Sequence, residues 1–225
     1  MHNQFHLQEI CFVGGLIWAS LTLAFGGLFT RSSKEDKFWR WFEKNEDRLH
    51  DCLSNFRQEQ PPLFDSLHKQ LTKVHPGLMF EFGLHDSDKF DFTISADGLH
   101  DVKPAVEALC ASAPDLPRWN IIAFRPRRDP VNIRIDDVEV AVADVEVSLG
   151  PDGDRAELAV YIKRMNEKQP SPYVQAAFLM LDHTIGEYDI MTKVAGISFL
   201  PGDAPRVDSC YSLKELPAAF DALFD

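Results

Sequence analysis

Apolar positions recur every three or four residues from Phe38 to Phe56 and alternate strictly from Leu78 onward, so the chain changes from helix to strand early. Phe38, Trp41, Phe42, Leu49, Cys52, Leu53 and Phe56 form one wide apolar helix face. Ser33 opens that helix, with Asp36 three residues on in the position of a capping-box partner. Asn45 fills the one gap in the stripe. A polar amide there needs partners, either a neighbouring backbone or, on the sharper reading, a bound ligand. Trp39 lies off the stripe and is expected at a membrane interface or against a loop. Pro61-Pro62 breaks the helix, and Phe64, Leu67, Leu71 and Val74 mark a second one that Pro76-Gly77 stops.

Leu78, Phe80, Phe82 and Leu84 then alternate with Met79, Glu81 and Gly83, and Phe90, Phe92 and Ile94 with Asp91, Thr93 and Ser95. This is a β-hairpin whose Phe-rich face needs a cover, expected from the first two helices. Asp97-Gly98 reads as a turn, Lys103–Ala113 as a short helix, and Trp119–Phe124 as a strand, central because Ile121-Ile122 suggests burial on both faces. Val131–Ile135, Val138–Val142 and Val145–Leu149 are further β segments, with a parity break near Ala143-Asp144 that calls for a turn or bulge. Gly150–Asp154 is a hairpin turn leading into Leu158, Val160 and Ile162. Pro172 starts a deeply buried helix ending at Gly186, Val194–Leu200 is the last strand, and Ser212 with Glu215 caps a final helix. No internal repeat is visible. The pattern predicts an α+β fold, a mostly antiparallel sheet of about six or seven strands with packed helices.

Before this body stands Ile10–Phe29, with no charged residue. At about 1.5 Å per residue a helix of that length spans a ~30 Å hydrocarbon core. Lys and Arg gather on its C-terminal flank, from Arg31 to Arg48, and none precedes it. The expectation is a membrane anchor over residues 1–30 and one α+β domain over 31–225. On that reading the protein is single-pass in the inner membrane, contacts the bilayer through residues 10–29 and keeps its domain in the cytoplasm. A misassigned start would make it a cytoplasmic protein.

The net charge is −12, and all 23 basic residues lie after residue 30. A uniformly acidic body repels nucleic acid, so no nucleic-acid partner is expected. The four cysteines are far apart, with neither zinc-knuckle nor disulfide-scaffold spacing. Signatures for dinucleotides, P-loop phosphates, zinc proteases, serine hydrolases and EF-hands are missing, so no cofactor or metal is expected. Two polar clusters stand out. Asp182, His183 and Glu187 could ligate a metal or trade a proton if the helix continued past Gly186; otherwise they are an ordinary polar helix end. Arg118, Arg125, Arg127 and Arg128 flank the Trp119–Phe124 strand and either hold an anion or pair with the protein's own acids, such as Asp129, Asp136 and Asp137.

The runs FWRWFEKNEDRL (Phe38–Leu49), HKQLTKVHPGLMFEFG (His68–Gly83), ISADG (Ile94–Gly98), LPRWNIIAFRPRR (Leu116–Arg128) and LDHTIGEYD (Leu181–Asp189) resemble a group of uncharacterised bacterial proteins that share a domain of unknown function. The resemblance covers most of 38–200, leaves out the 10–29 span and implies no activity or catalytic residue. With no constellation standing above its structural explanation, the sequence favours a membrane-tethered, non-catalytic binding or accessory module with a protein partner, immunity-type for example. The alternative is an enzyme of unrecognised class that uses the 182–189 cluster or the Arg118–Arg128 cluster. The sequence sets no oligomeric state.

Overall fold

The computed structural model describes residues 32–55, 60–85, 89–206 and 209–224. Ser32–Asp225 forms one compact unit. Helix α1 (Lys34–Asn55) starts where expected: the Asp36 amide donates to the Ser33 hydroxyl at 2.9 Å, and the Ser33 amide donates to the Asp36 carboxylate at 3.1 Å. Helix α2 (Gln60–Val74) carries Pro61 and Pro62 in its own first turn, where a missing N–H costs nothing. The prolines therefore open the second helix as well as closing the approach to it.

Strands β1 (Met79–Leu84) and β2 (Phe90–Ser95) form the expected hairpin, with Phe82 opposite Phe92. Helix α3 (Lys103–Ala111) then crosses over to β3 (Trp119–Ala123), which pairs parallel to β2. β3 is an edge of a three-stranded sheet, β1-β2-β3, rather than a central strand, and Ile121 and Ile122 are only half-buried. Two short strands, β4 (Ile133–Ile135) and β5 (Val138–Val140), pair with each other, and a 3₁₀ turn at Val142–Asp144 supplies the expected parity break. Strands β6 (Val145–Asp152) and β7 (Arg155–Ile162) form a long hairpin.

Helix α4 (Ser171–Ile185) and helix α5 (Glu187–Lys193) cross over to β8 (Val194–Pro201), parallel to β7. Strand β9 (Cys210–Ser212) pairs with β6, and helix α6 (Leu216–Asp221) ends the described chain. Ser212 and Glu215 do bond to each other, but in the turn before α6, and the Glu215 amide donates to the Ser212 carbonyl instead of its hydroxyl, so they are not a reciprocal capping box. The second main sheet has the order β8-β7-β6-β9. In place of one mostly antiparallel sheet of six or seven strands, the described residues hold nine strands in three sheets, two pairings of which are parallel.

The two main sheets share one wiring. Hairpin, helical crossover and parallel third strand occur once as β1-β2-α3-β3 and again as β6-β7-α4-α5-β8. The sequence shows no repeat because the two ββαβ units are filled by different side chains. Phe38, Trp39 and Phe42 of α1 pack on Phe92 and Trp119 in the first core, with Phe42 stacked on Phe92 at 5.0 Å. Trp39 belongs to that core, not to an interface, and donates its indole N–H to the Leu109 carbonyl at 2.8 Å. The second core is mainly aliphatic: Val145, Val147, Leu158, Val160 and Ile162 against Met180, Leu181 and the ring of Phe220.

Among the described residues no helix is long and apolar enough to cross a membrane, and residues 10–29 lie outside the described residues. The expectation of a transmembrane helix ahead of the fold is corrected accordingly. So are the two expectations that followed from it, single-pass placement in the inner membrane and bilayer contact through 10–29.

Candidate functional site

Alternation puts Glu81, Asp91, Thr93 and Ser95 on the face of the first sheet opposite its phenylalanines. That face is not solvent along its whole length: Thr93 and Ser95 are buried. The cover is the junction of α4 and α5, which meets the C-terminal ends of β2 and β3. Two backbone features make the meeting. Phe124, directly after β3, takes a left-handed φ of 65°, unusual for an aromatic residue. Its amide still donates to Ile94 at 2.9 Å, and its ring packs on Tyr188 at 5.4 Å. The chain thereby leaves the sheet with Arg125 turned inward. Gly186, with φ 94° and ψ 133°, breaks α4 from α5. A Cβ at this position would lie 3.2 Å from the Arg127 side chain, so glycine serves both the turn and the close approach.

At this seam Arg125 is 5% exposed, His183 8%, and Asp182 and Glu187 not at all. The Arg125 guanidinium donates to Glu81 at 2.5 Å, to Asp182 at 3.0 Å and to Asp97 at 3.0 Å. Glu187 does not contact the guanidinium. One of its oxygens accepts from the Ser95 hydroxyl at 2.9 Å and the Ala96 amide at 2.8 Å, and the other from the Arg125 amide at 2.8 Å. The Glu187 amide returns a bond to the Arg125 carbonyl at 3.0 Å. Arg125 and Glu187 thus join the first ββαβ unit to the second with a partner at every side-chain nitrogen and oxygen, the condition under which buried charge is tolerated.

Asp182 and His183 are less well served. Asp182 Oδ1 and both ring nitrogens of His183 are buried with no hydrogen-bond partner in the protein. Burial raises Asp182, and Glu187 and Asp97 add to the rise while Arg125 opposes it, leaving the carboxyl pushed up to about 7. Burial and the charges of Arg128 and Arg125 hold His183 below the ordinary imidazole value, against the pull of Glu81. Burial also acts to raise Glu81, but its bond to Arg125 and the charges of Arg125 and Arg128 outweigh that and hold it below the ordinary carboxylate range.

In front of the seam lies a groove of about 420 Å³ lined by Glu81, Gly83, Asp91, Thr93, Arg127 and Arg128 among others. Its size is that of a small-molecule site. Arg128 bonds Glu81 at 2.9 Å, and its amide donates to the His183 carbonyl at 2.6 Å, so His183 stands directly behind the groove wall. Arg127 is held by Asp189 at 2.7 Å, by Asp221 at 2.8 Å and by the Ile185 carbonyl.

The two polar clusters of the sequence are therefore one site. Asp182, His183, Glu187, Arg125, Arg127 and Arg128 converge, although Gly186 does end the helix and Glu187 faces Arg125 rather than His183. Arg118 is elsewhere, paired with Glu46 at 2.9 Å and Asp47 at 2.6 Å on α1. Asn45 is elsewhere too, bonding the Trp41 carbonyl at 2.8 Å within its own helix. The arginines do pair with the protein's acids, but not with Asp129, Asp136 or Asp137. Glu81, Asp97 and Ser95 were missed as site residues. Glu81 and Ser95 occupied the polar slots of alternating strands, and Asp97 an ordinary turn. Among the described residues no group of His, Cys, Asp and Glu could hold a metal ion.

No protein-family model matches the chain, and no curated protein matches it. The expectation of a membrane-tethered, non-catalytic binding module is overturned. No described helix can cross a membrane, and the polar candidates assemble at a buried centre behind a groove instead of spreading over an acidic surface.

Proposed function

We propose that this chain is an enzyme of a class without a recognised sequence motif, acting by proton exchange at the Asp182–His183 centre on a small polar substrate held in the groove of Glu81 and Arg128. One observation carries this reading. Two adjacent ionisable side chains are buried with unpartnered polar atoms behind a polar groove, and Asp182 is pushed up to about 7. A carboxyl so placed is poised as a general acid near neutral pH, and a neutral imidazole as a base. Arg125 and Glu187, each of whose side-chain polar atoms already has a partner, position the centre. The converging segments LPRWNIIAFRPRR and LDHTIGEYD both belong to the runs that resemble the bacterial family, which attaches no activity to them.

The purified full chain is to be assayed against a panel of small esters, amides and phosphate monoesters. Turnover of at least one is expected, falling by about 10²–10⁴ in Asp182→Asn or His183→Gln with unchanged far-UV circular dichroism. No turnover across the panel, or turnover indifferent to both substitutions, refutes the reading. A second reading, in which the seam is only a clamp between the ββαβ units, is favoured by the three carboxylates that hold the Arg125 guanidinium. It predicts folded, inert protein in every case.

A further inference from the structure

Asp182 and His183 are neighbours in sequence and in burial, and each is placed where its charged form is poorly served. An imidazolium needs acceptors for two N–H groups, yet both ring nitrogens of His183 are without a partner. An ionised Asp182 needs donors on both oxygens, yet only Oδ2 has one, from Arg125. The surrounding charge points the same way. Four carboxylates, Glu81 of β1, Asp97 of the β2–α3 turn, Asp182 of α4 and Glu187 of α5, crowd the buried Arg125, with Arg128 as the second cation. His183 instead faces Arg128 and Arg125 against the single acid Glu81. Asp189 of α5 and Asp221 of α6 are engaged with Arg127.

We propose that Asp182 and His183 form a proton-compensated pair, in which folding moves one proton from the imidazole to the carboxyl and both side chains enter the seam uncharged in mildly acidic solution. In the unfolded chain the same two groups are a carboxylate and an imidazolium between about pH 4 and 6.5. Asp182 is raised in the fold, so its contribution to stability is complete below its unfolded value and is lost as the pH rises toward about 7. His183 is lowered, so its contribution is present above its unfolded value and is lost as the pH falls below it. The two slopes are opposite and cancel while one proton is gained and one is lost. Above the range in which Glu81 titrates, the seam between the two ββαβ units is therefore insensitive to pH up to about 6.5, because Asp182 and His183 offset each other. This holds whether or not the centre turns over a substrate.

The test is urea denaturation of the full chain in steps from about pH 5 to 6.5, above the range in which Glu81 titrates, comparing each variant with wild type so that the other histidines cancel. Relative to wild type, Asp182→Asn is expected to grow more stable as the pH rises and His183→Gln less stable. The Asp182→Asn difference should approach about tenfold in the unfolding constant per pH unit, and the His183→Gln difference, opposite in sign, at most that. Variants whose pH slopes match wild type overturn the proposal. If a variant does not fold, carboxyl ¹³C and imidazole ¹⁵N shifts of the wild-type protein at about pH 6 decide instead. A protonated Asp182 beside a neutral His183 is the expected result, and a carboxylate beside an imidazolium overturns the proposal.

Discussion

The first ββαβ unit packs around a cluster of rings and the second almost wholly around aliphatic chains, although the strands and crossovers are connected in the same way. In the first, the crossover helix α3 contributes Val106 and Leu109, and the main cover comes from α1, which precedes the unit. In the second, the crossover helix itself is the cover: α4 is buried along its last turns and touches β4, β5, α5 and α6 as well as β7. A shared wiring therefore leaves open which element supplies the core. It also leaves open what happens at the open ends of the parallel strands, and here the units are complementary. The first presents the Ser95 hydroxyl, the Ala96 and Arg125 amides and one arm of the Arg125 guanidinium, and the second supplies Asp182 and Glu187 to meet them.

Four substitutions bear on this comparison. The largest effect is expected from Arg125→Leu, which leaves Glu81, Asp97 and Asp182 facing one another without their cation. Removing one partner of a buried pair costs about 3–5 kcal/mol, measured by urea denaturation at neutral pH. A cost typical of a surface site would mean that the seam does not hold the units together. Next come paired truncations, Phe92→Ala and Leu158→Ala, at about 4 and about 3 kcal/mol, since a ring leaves the larger cavity. Near-UV circular dichroism separates them, because Phe92 packs on Trp39, Phe42 and Trp119 and its loss should flatten the aromatic signal. An equal loss in Leu158→Ala would show the cores to be one. The smallest effect is expected from Arg127→Ala. Its pairs with Asp189 and Asp221 are partly exposed, so the thermal midpoint should fall by no more than about 1 kcal/mol equivalent.

Local patterns were legible in the sequence wherever one residue type dictates the outcome. Ser33 and Asp36 fix the start of α1, alternation fixes the β1–β2 hairpin with its Phe face inward, and Gly186 ends α4. What failed was whatever depends on which surfaces meet. Ile121-Ile122 looked like a central strand because adjacent β-branched residues suggest two covered faces, but a helix junction covers that side of an edge strand only in part. The helix at Glu187–Lys193 was hidden because Gly186 reads as a stop and the segment after it buries only two apolar residues, Ile190 and Met191. Asp182, His183 and the arginines were visible as two separate polar clusters. Nothing in their spacing says that a left-handed Phe124 turns one into the other, and the partner residue Glu81 was indistinguishable from any solvent-facing glutamate.

The division of Glu187 between its two oxygens makes two backbone amides into reporters. The Ala96 and Arg125 N–H groups are each held by an opposite oxygen of one carboxylate, and neither is part of a ladder that would protect it independently. Their hydrogen exchange should accelerate together whenever the ββαβ units part, while amides inside β6 and β7 remain protected until global unfolding. The opening of the seam has its own signal, readable from two residues without any ligand or activity in hand.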